Sequence, residues 1–165
     1  MKNITKKEKA ITLPDGLDEK DMAILKLLQN NAKMTVREIA SAVHLSPTPV
    51  HERIKRMEDN DVIQKYVTLI NPSKVRKGLT VICYVSLNMH NKNAGLKFIK
   101  SVNEMDEIME CYSISGEFDF MLKVMAENMD AYYQFHINRL SQIENINHIQ
   151  SIFVMGTIKQ TNNIA

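Results

Sequence analysis

The sequence predicts an α+β chain in two parts, three short helices followed by four strands and two further helices. Three observations carry this expectation. Residues 17–61 set apolar side chains at helical spacing behind three capping residues, Asp18, Thr35 and Ser46. From Leu79 the period changes to strict alternation. The segments that follow come in the order strand, helix, strand, strand, helix, strand, which is two split βαβ units.

Residues 1–16 lack periodicity and read as an N-terminal arm. The arm is polar and Lys-rich with no apolar run behind it, so it does not read as a secretory signal. Asp18 opens the first helix, with Asp21 three residues on and Ile24, Leu25 and Leu28 as its apolar stripe; Asn30-Asn31 closes it. Thr35 opens the second, with Glu38 at the capping-box position and Val36, Ile39, Ala40 and Val43 facing inward. His44-Leu45 reads as a turn. Ser46 then caps a third helix, with Pro47 at its first position, where a missing N–H costs nothing, and Pro49 still in the first turn. Val50, Ile54 and Met57 form its buried stripe.

Residues 62–78 read as a linker, an extended strand over Val62–Ile70 and a turn at Asn71-Pro72-Ser73. The second domain spans 79–159. Its expected strands are Leu79–His90, Ile108–Ser115, Phe118–Met125 and Ile146–Lys159; its helices are Asn93–Asn103 and Met129–Leu140. Residues 160–165 are a C-terminal tail. This is the ferredoxin-like arrangement. With both helices on one face, the other face needs a cover, which predicts a partner sheet and hence a dimer.

Composition narrows the function classes. The chain has 165 residues, 44% hydrophobic and 24% charged, and no apolar run long enough for a membrane helix. Cys83 and Cys111 lie in apolar runs and form no metal-ligand spacing, so neither a disulfide framework nor a zinc site is expected, and a reducing cytoplasmic setting fits. Residues 1–78 carry 15 Lys and Arg against 10 Asp and Glu; residues 79–165 carry 6 against 9. A basic first part beside a mildly acidic second suggests a polyanion partner for the first alone. No nucleophile has a base beside it, the five histidines show no metal spacing and no phosphate loop is present, so no enzyme and no cofactor is expected. An RNA-binding module shares the strand order. It would need aromatics across an exposed sheet face, and the second strand has only Tyr112.

Two short helices joined by a four-residue turn form the helix-turn-helix pattern, whose last helix can enter a major groove. Ser46, Thr48, His51, Glu52, Lys55 and Arg56 lie outside its buried stripe. Ser46 and Thr48, with the helix-start amides, can hold a phosphate. His51, Glu52 and Lys55 are candidates for base edges, and Arg56 for base or backbone. Arg53, beside Ile54, suits a structural ion pair. The plain alternative is a three-helix bundle with solvated charges. In the second domain, Ser115-Gly116-Glu117-Phe118-Asp119 combines a glycine that permits a left-handed turn with two carboxylates and free backbone amides, the features an amino-acid zwitterion requires. The alternative there is a tight turn capped by Asp119.

The residues Leu17-Asp18, Asp21, Ile24-Leu25, Leu28-Gln29, Ile39-Ala40 and the run Leu45-Ser46-Pro47-Thr48-Pro49-Val50-His51-Glu52-Arg53-Ile54-Lys55-Arg56-Met57-Glu58 resemble the Lrp/AsnC family of leucine-responsive and asparagine-type regulators. The resemblance continues through Val62-Ile63-Gln64 and Asn71-Pro72 and covers about residues 17–160. One departure is Asp61, where the family usually has Gly, which suggests a slightly different turn. The resemblance implies a winged helix-turn-helix domain with its motif over Val36–Lys55, followed by a ferredoxin-like ligand-binding domain. It implies double-stranded DNA as partner and an effector, an amino acid, bound between dimers at Ser115, Gly116, Glu117, Phe118 and Asp119, with Phe153 and Val154 contributing. It further implies a homodimer assembling to tetramer, octamer or higher. Eleven methionines do not identify the effector, since Met is common adaptable core packing.

Overall fold

The computed structural model describes residues 16–89 and 92–165, which fall into two compact units, one of residues 16–68 with 160–165 and one of residues 69–159. The expected arm, apart from Gly16, and the expected strand end at His90 lie outside the described residues.

The helical unit contains α1 (Glu19–Asn30), α2 (Val36–Val43) and α3 (Pro47–Asp59). The expected capping box at Thr35 forms, and the expected N-cap Asp18 makes a second box with Asp21. The Asp18 carboxylate accepts from Asp21 N–H at 2.8 Å while Asp21 accepts from Asp18 N–H at 3.0 Å. Thr35 Oγ1 accepts from Glu38 N–H, and Glu38 Oε2 accepts from Thr35 N–H at 2.7 Å. Each box satisfies two helix-end donors that would otherwise be orphaned. Ile24, Ile39, Ala40, Val43, Val50 and Met57 are buried together at the centre. Lys20 Nζ donates to Val43 O at 2.7 Å, closing the C-terminal end of α2 from α1.

Ser46 occupies the N-cap position of α3 but its hydroxyl makes no capping bond, against expectation. The reason is chemical. Pro49 stands at the third helical position and has no N–H, so the usual donor to an N-cap oxygen is missing. The helix ends at Asp59 with Asn60 as its cap, and the next residue, Asp61, adopts φ 59°, while Val62 N–H and Ile63 N–H both donate to Met57 O. Asp61 thus takes the left-handed conformation that glycine favours, one that Asp tolerates better than most residues.

Residues 62–70 form no strand, so the expected linker strand is corrected. Among the described residues this extended segment has no strand beside it to take its N–H and C=O groups. Its apolar side chains Val67, Leu69 and Ile70 are left exposed. A short 3₁₀ turn, Pro72–Val75, follows.

The second unit contains β1 (Leu79–Leu87), α4 (Lys92–Asn103), β2 (Ile108–Ser113), β3 (Phe120–Ala126), α5 (Met129–Asn138) and β4 (Ile146–Phe153). The sheet is antiparallel throughout, in the order β2-β3-β1-β4, the ferredoxin-like topology. Opposed pairs such as Cys83–Leu122 and Val81–Val124 put their side chains on one face, against Phe98, Val102, Tyr132, Phe135 and Leu140. The other face presents Ile82, Tyr84, Met121 and Met125, none of them fully buried. β4 stops at Phe153 rather than Lys159 because its partner runs out: Phe153 opposes Val81, Val154 N–H reaches Thr80 O at 3.0 Å, and β1 begins at Leu79. Phe118 lies before β3 rather than within it, and α5 gives way to a 3₁₀ turn at Leu140–Gln142. Gln160–Ala165 groups with the helical unit, where Gln29 Nε2 donates to Asn162 O and Ala165 N–H donates to Gln29 Oε1, both at 3.0 Å.

Candidate nucleic-acid interface and effector turn

Helix α3 is fixed to α1 by charge. Asp21 is fully buried, and its carboxylate accepts from Arg53 Nη1 at 2.8 Å and from Arg56 Nη2 at 2.6 Å. Arg53 also reaches Asp18 at 2.6 Å. The Asp21 N–H beside Asp18, with Arg53 a further cause, holds the Asp18 carboxyl below its ordinary value; the same carboxylates raise the Arg53 guanidinium. Desolvating a carboxylate costs several kcal/mol unless donors surround it, and here two guanidinium groups and a backbone N–H do. Arg53 takes the structural ion pair its position suggests. Arg56, expected among the DNA contacts, shares that anchor while its side chain stays half-exposed.

With both arginines drawn toward α1, Ser46, Thr48, His51, Glu52 and Lys55 remain together on the exposed surface of α3. All five belong to the cap and the nine residues after it, the end that enters a groove in this motif. The amide cradle there is thinner than its sequence position suggests, because Pro47 and Pro49 have no N–H. The hydroxyls of Ser46 and Thr48 and the N–H of Thr48 carry the donor capacity. His44 sits at φ 55° at the end of α2, and this left-handed residue makes the sharp turn into α3.

In the sheet unit the Gly116 turn is left-handed as expected, with φ 126° and open space where a Cβ would stand. Asp119 staples this turn to the end of β1. Leu87 N–H donates to Asp119 Oδ2 at 2.7 Å, Asp119 N–H to Val85 O at 2.9 Å and Ile114 N–H to Asp119 O at 2.9 Å. Ser115 and Glu117 are exposed. The Phe118 ring lies 5.5 Å from that of Tyr84 and 6.1 Å from that of His148, on the face away from the helices.

The structure does not bring Phe153 and Val154 to this turn. Phe153 opposes Val81, whereas the turn is bonded at Val85 and Leu87, some 13 Å or more further along β1 at ~3.3 Å per residue. Phe153 also faces the helices, its ring edge-on to Tyr132 at 5.5 Å. Tyr132 in turn shares hydrogen bonds with Ser151 Oγ at 2.5 Å and with the buried Cys83 thiol at 3.2 Å, and burial raises both the phenol and the thiol. Sequence reasoning passed over Tyr132, Tyr84 and His148 as site residues. Strand alternation shows the faces of Tyr84 and His148, but only the folded sheet brings them to Phe118, and only the packing of α5 on the sheet brings Tyr132 to Phe153.

Comparison with known proteins agrees over nearly the whole chain. The family model described as AsnC-type helix-turn-helix domain matches residues 17–58, and that described as Lrp/AsnC ligand binding domain matches residues 80–164. The leucine-responsive regulatory protein of Escherichia coli (strain K12) is 34% identical over 148 residues, 90% of each chain. The DNA-binding transcriptional activator DecR of the same strain is 30% identical over 148 residues, 90% of this chain and 97% of that protein. Among solved structures, a transcriptional regulator of Neisseria meningitidis in complex with L-Met matches with a TM-score of 0.86 at 33% identity, covering 90% of this chain and 96% of that one. An AsnC family transcriptional regulator from Agrobacterium tumefaciens also gives 0.86, at 34% identity, covering 90% and 97%. With a helix-turn-helix unit locked by its own arginines and a four-stranded ferredoxin-like unit following it in sequence, the chain belongs to the Lrp/AsnC family of transcriptional regulators.

Proposed function

We propose that this protein is an amino-acid-responsive regulator that reads duplex DNA with α3. The observation that carries the reading is the division of labour on that helix. Arg53 and Arg56 hold it on buried Asp21, and Ser46, Thr48, His51, Glu52 and Lys55 stay exposed. In this reading Ser46 and Thr48 hold phosphate, His51, Glu52 and Lys55 meet base edges, and Arg56 joins the backbone contact from its half-exposed position. The chain acts by binding rather than by catalysis, in the cytoplasm.

The sheet unit is the sensor. Ser115–Asp119 supplies a left-handed turn with carboxylates beside backbone amides, suited to a zwitterion, and a relative is known as an L-Met complex. Phe153 and Val154 stand at the other end of β1, so an effector site using both elements requires a second copy of the chain. Two further features support assembly: a sheet face without helices and an unpaired apolar segment at Val67–Ile70. An effector seated between copies would shift assembly, and so the spacing of reading helices, with a coupling of about 1–3 kcal/mol.

Selection of bound duplexes from a random pool, with and without each amino acid, tests the proposal. An enriched sequence with two half-sites, changed in affinity or spacing by one amino acid, is the expected result. Enrichment of no sequence would remove the DNA reading. Enrichment that no amino acid alters, with sedimentation likewise unaltered, would remove the sensor.

A further inference from the structure

We propose that the turn Pro72–Lys77 makes a second contact to the DNA phosphate backbone, blind to base sequence and distinct from α3. The proposal rests on the DNA-binding reading above. Its first support is charge segregation. From Val62 to Asn103 the chain has no Asp or Glu, yet it holds seven Lys and Arg. All nine carboxylates of the sheet unit come after Asn103. Three of the seven cations, Lys74, Arg76 and Lys77, fall within four residues of this turn.

The second support is the difference between these cations and the ion-paired ones of the same unit; Lys92, Lys100 and Lys159 also meet no carboxylate among the described residues, but only Lys74 and Arg76 stand so two residues apart. Lys123 is met by Glu110 at 2.7 Å, and Arg139 by Glu107. Lys74 and Arg76 are exposed and meet no carboxylate among the described residues. An unneutralised pair of cations on the surface is a site of positive potential, and its complement is a regular line of anions.

The third support is that the cations are presented on a defined shape. Asn71 Oδ1 accepts from Ser73 N–H at 3.2 Å and Ser73 Oγ at 2.7 Å, Lys74 N–H donates to Asn71 O, and Lys77 N–H donates to Pro72 O at 2.9 Å. Lys77 Nζ is itself turned to Met125 O at 3.5 Å, which leaves Lys74 and Arg76 as the outward pair. Lys74 follows the end of α3 by fifteen residues, a chain length that reaches at most ~50 Å. Phosphates flanking a half-site lie within that span.

The test is a salt titration of the full chain on two duplexes, one selected and one of random sequence, between 50 and 200 mM salt. The variant is Lys74→Gln with Arg76→Asn, since Asn tolerates the left-handed φ of 56° found there. A control, Lys97→Gln with Lys100→Gln, removes the same charge from α4. Each lost phosphate contact lowers the log–log salt slope by about 0.9. The variant is expected to lose about two units of slope on both duplexes, so its affinity falls roughly tenfold less than wild type across that range. An unchanged slope overturns the proposal, as does an equal loss in the control, which would mean diffuse charge. A loss confined to the selected duplex, or altered sedimentation without altered slope, overturns it as well, the latter in favour of contact between copies. Wild type that binds neither duplex would instead overturn the DNA reading itself.

Discussion

Among the described residues six apolar side chains are buried at the centre of the helical unit, against thirteen in the sheet unit, and the smaller core is the one that also encloses a carboxylate. The sheet unit is held by area: two helices lie over one face, and the rings of Phe98 and Phe120 pack at 4.5 Å. The helical unit is held by polar geometry at its edges, through two capping boxes, a lysine closing α2 and the Asp21–Arg53–Arg56 cluster. Apolar packing is indifferent to direction, whereas a guanidinium–carboxylate pair fixes one. A helix that must present a particular face benefits from the second kind of hold.

Four changes would break or sharpen that contrast. Phe98→Ala should cost the most, about 3–5 kcal/mol, because a ring is removed from a closed core. Its cost should be the same at low and high salt, and a dependence on salt in denaturant melts would contradict an apolar hold. Arg53→Met follows at about 3 kcal/mol, since it keeps volume but strands buried Asp21 with Arg56 alone. If the same melts show under 1 kcal/mol, the cluster is ornamental and the helical core suffices. Thr35→Ala should remove about 1 kcal/mol with its capping box, read by the same method.

The smallest effect is that of acid. Asp18 and Glu38 are held below their ordinary values of 3.8 and 4.5, chiefly by backbone N–H groups, and in the sheet unit Glu110 is lowered by Lys123. A depressed carboxyl contributes stability that is complete above its unfolded value and is lost as pH falls through its folded value. Denaturation midpoints should therefore be level from neutrality to about pH 5 and decline below it. Asp18→Asn with Glu38→Gln should flatten part of that decline, and an unaltered profile would assign it elsewhere.

Much of this was legible in residue order. Asp18 and Thr35 announced their helices because capping is local, and Gly116 announced its turn because few other residues tolerate that φ. The alternation of Val81, Cys83, Val85 and Leu87 was enough to show which face of β1 is covered. What could not be read depends on neighbours remote in sequence. Asp21 looks like an ordinary first-turn acid, and only the packing of α3 against α1 makes it a buried anchor. The ends of β4 and the fate of Val62–Ile70 depend on whether a ladder partner exists, which no propensity records. The same holds for the site: each of its elements was recognisable, but the register of β4 on β1 decides that Phe153 and the Gly116 turn are apart.

Asp61 closes α3 in a conformation where the family usually places glycine, and the balance there is set as much by the denatured chain as by the native one. A left-handed Asp carries native strain on the order of 1 kcal/mol. Glycine would avoid it but would lose more freedom on folding, an entropic penalty of similar size. The two offset, so Asp61→Gly should leave the melting temperature almost where it was. A position with such a flat response is open to neutral drift, and a departure from the family pattern at this turn is no sign of altered function.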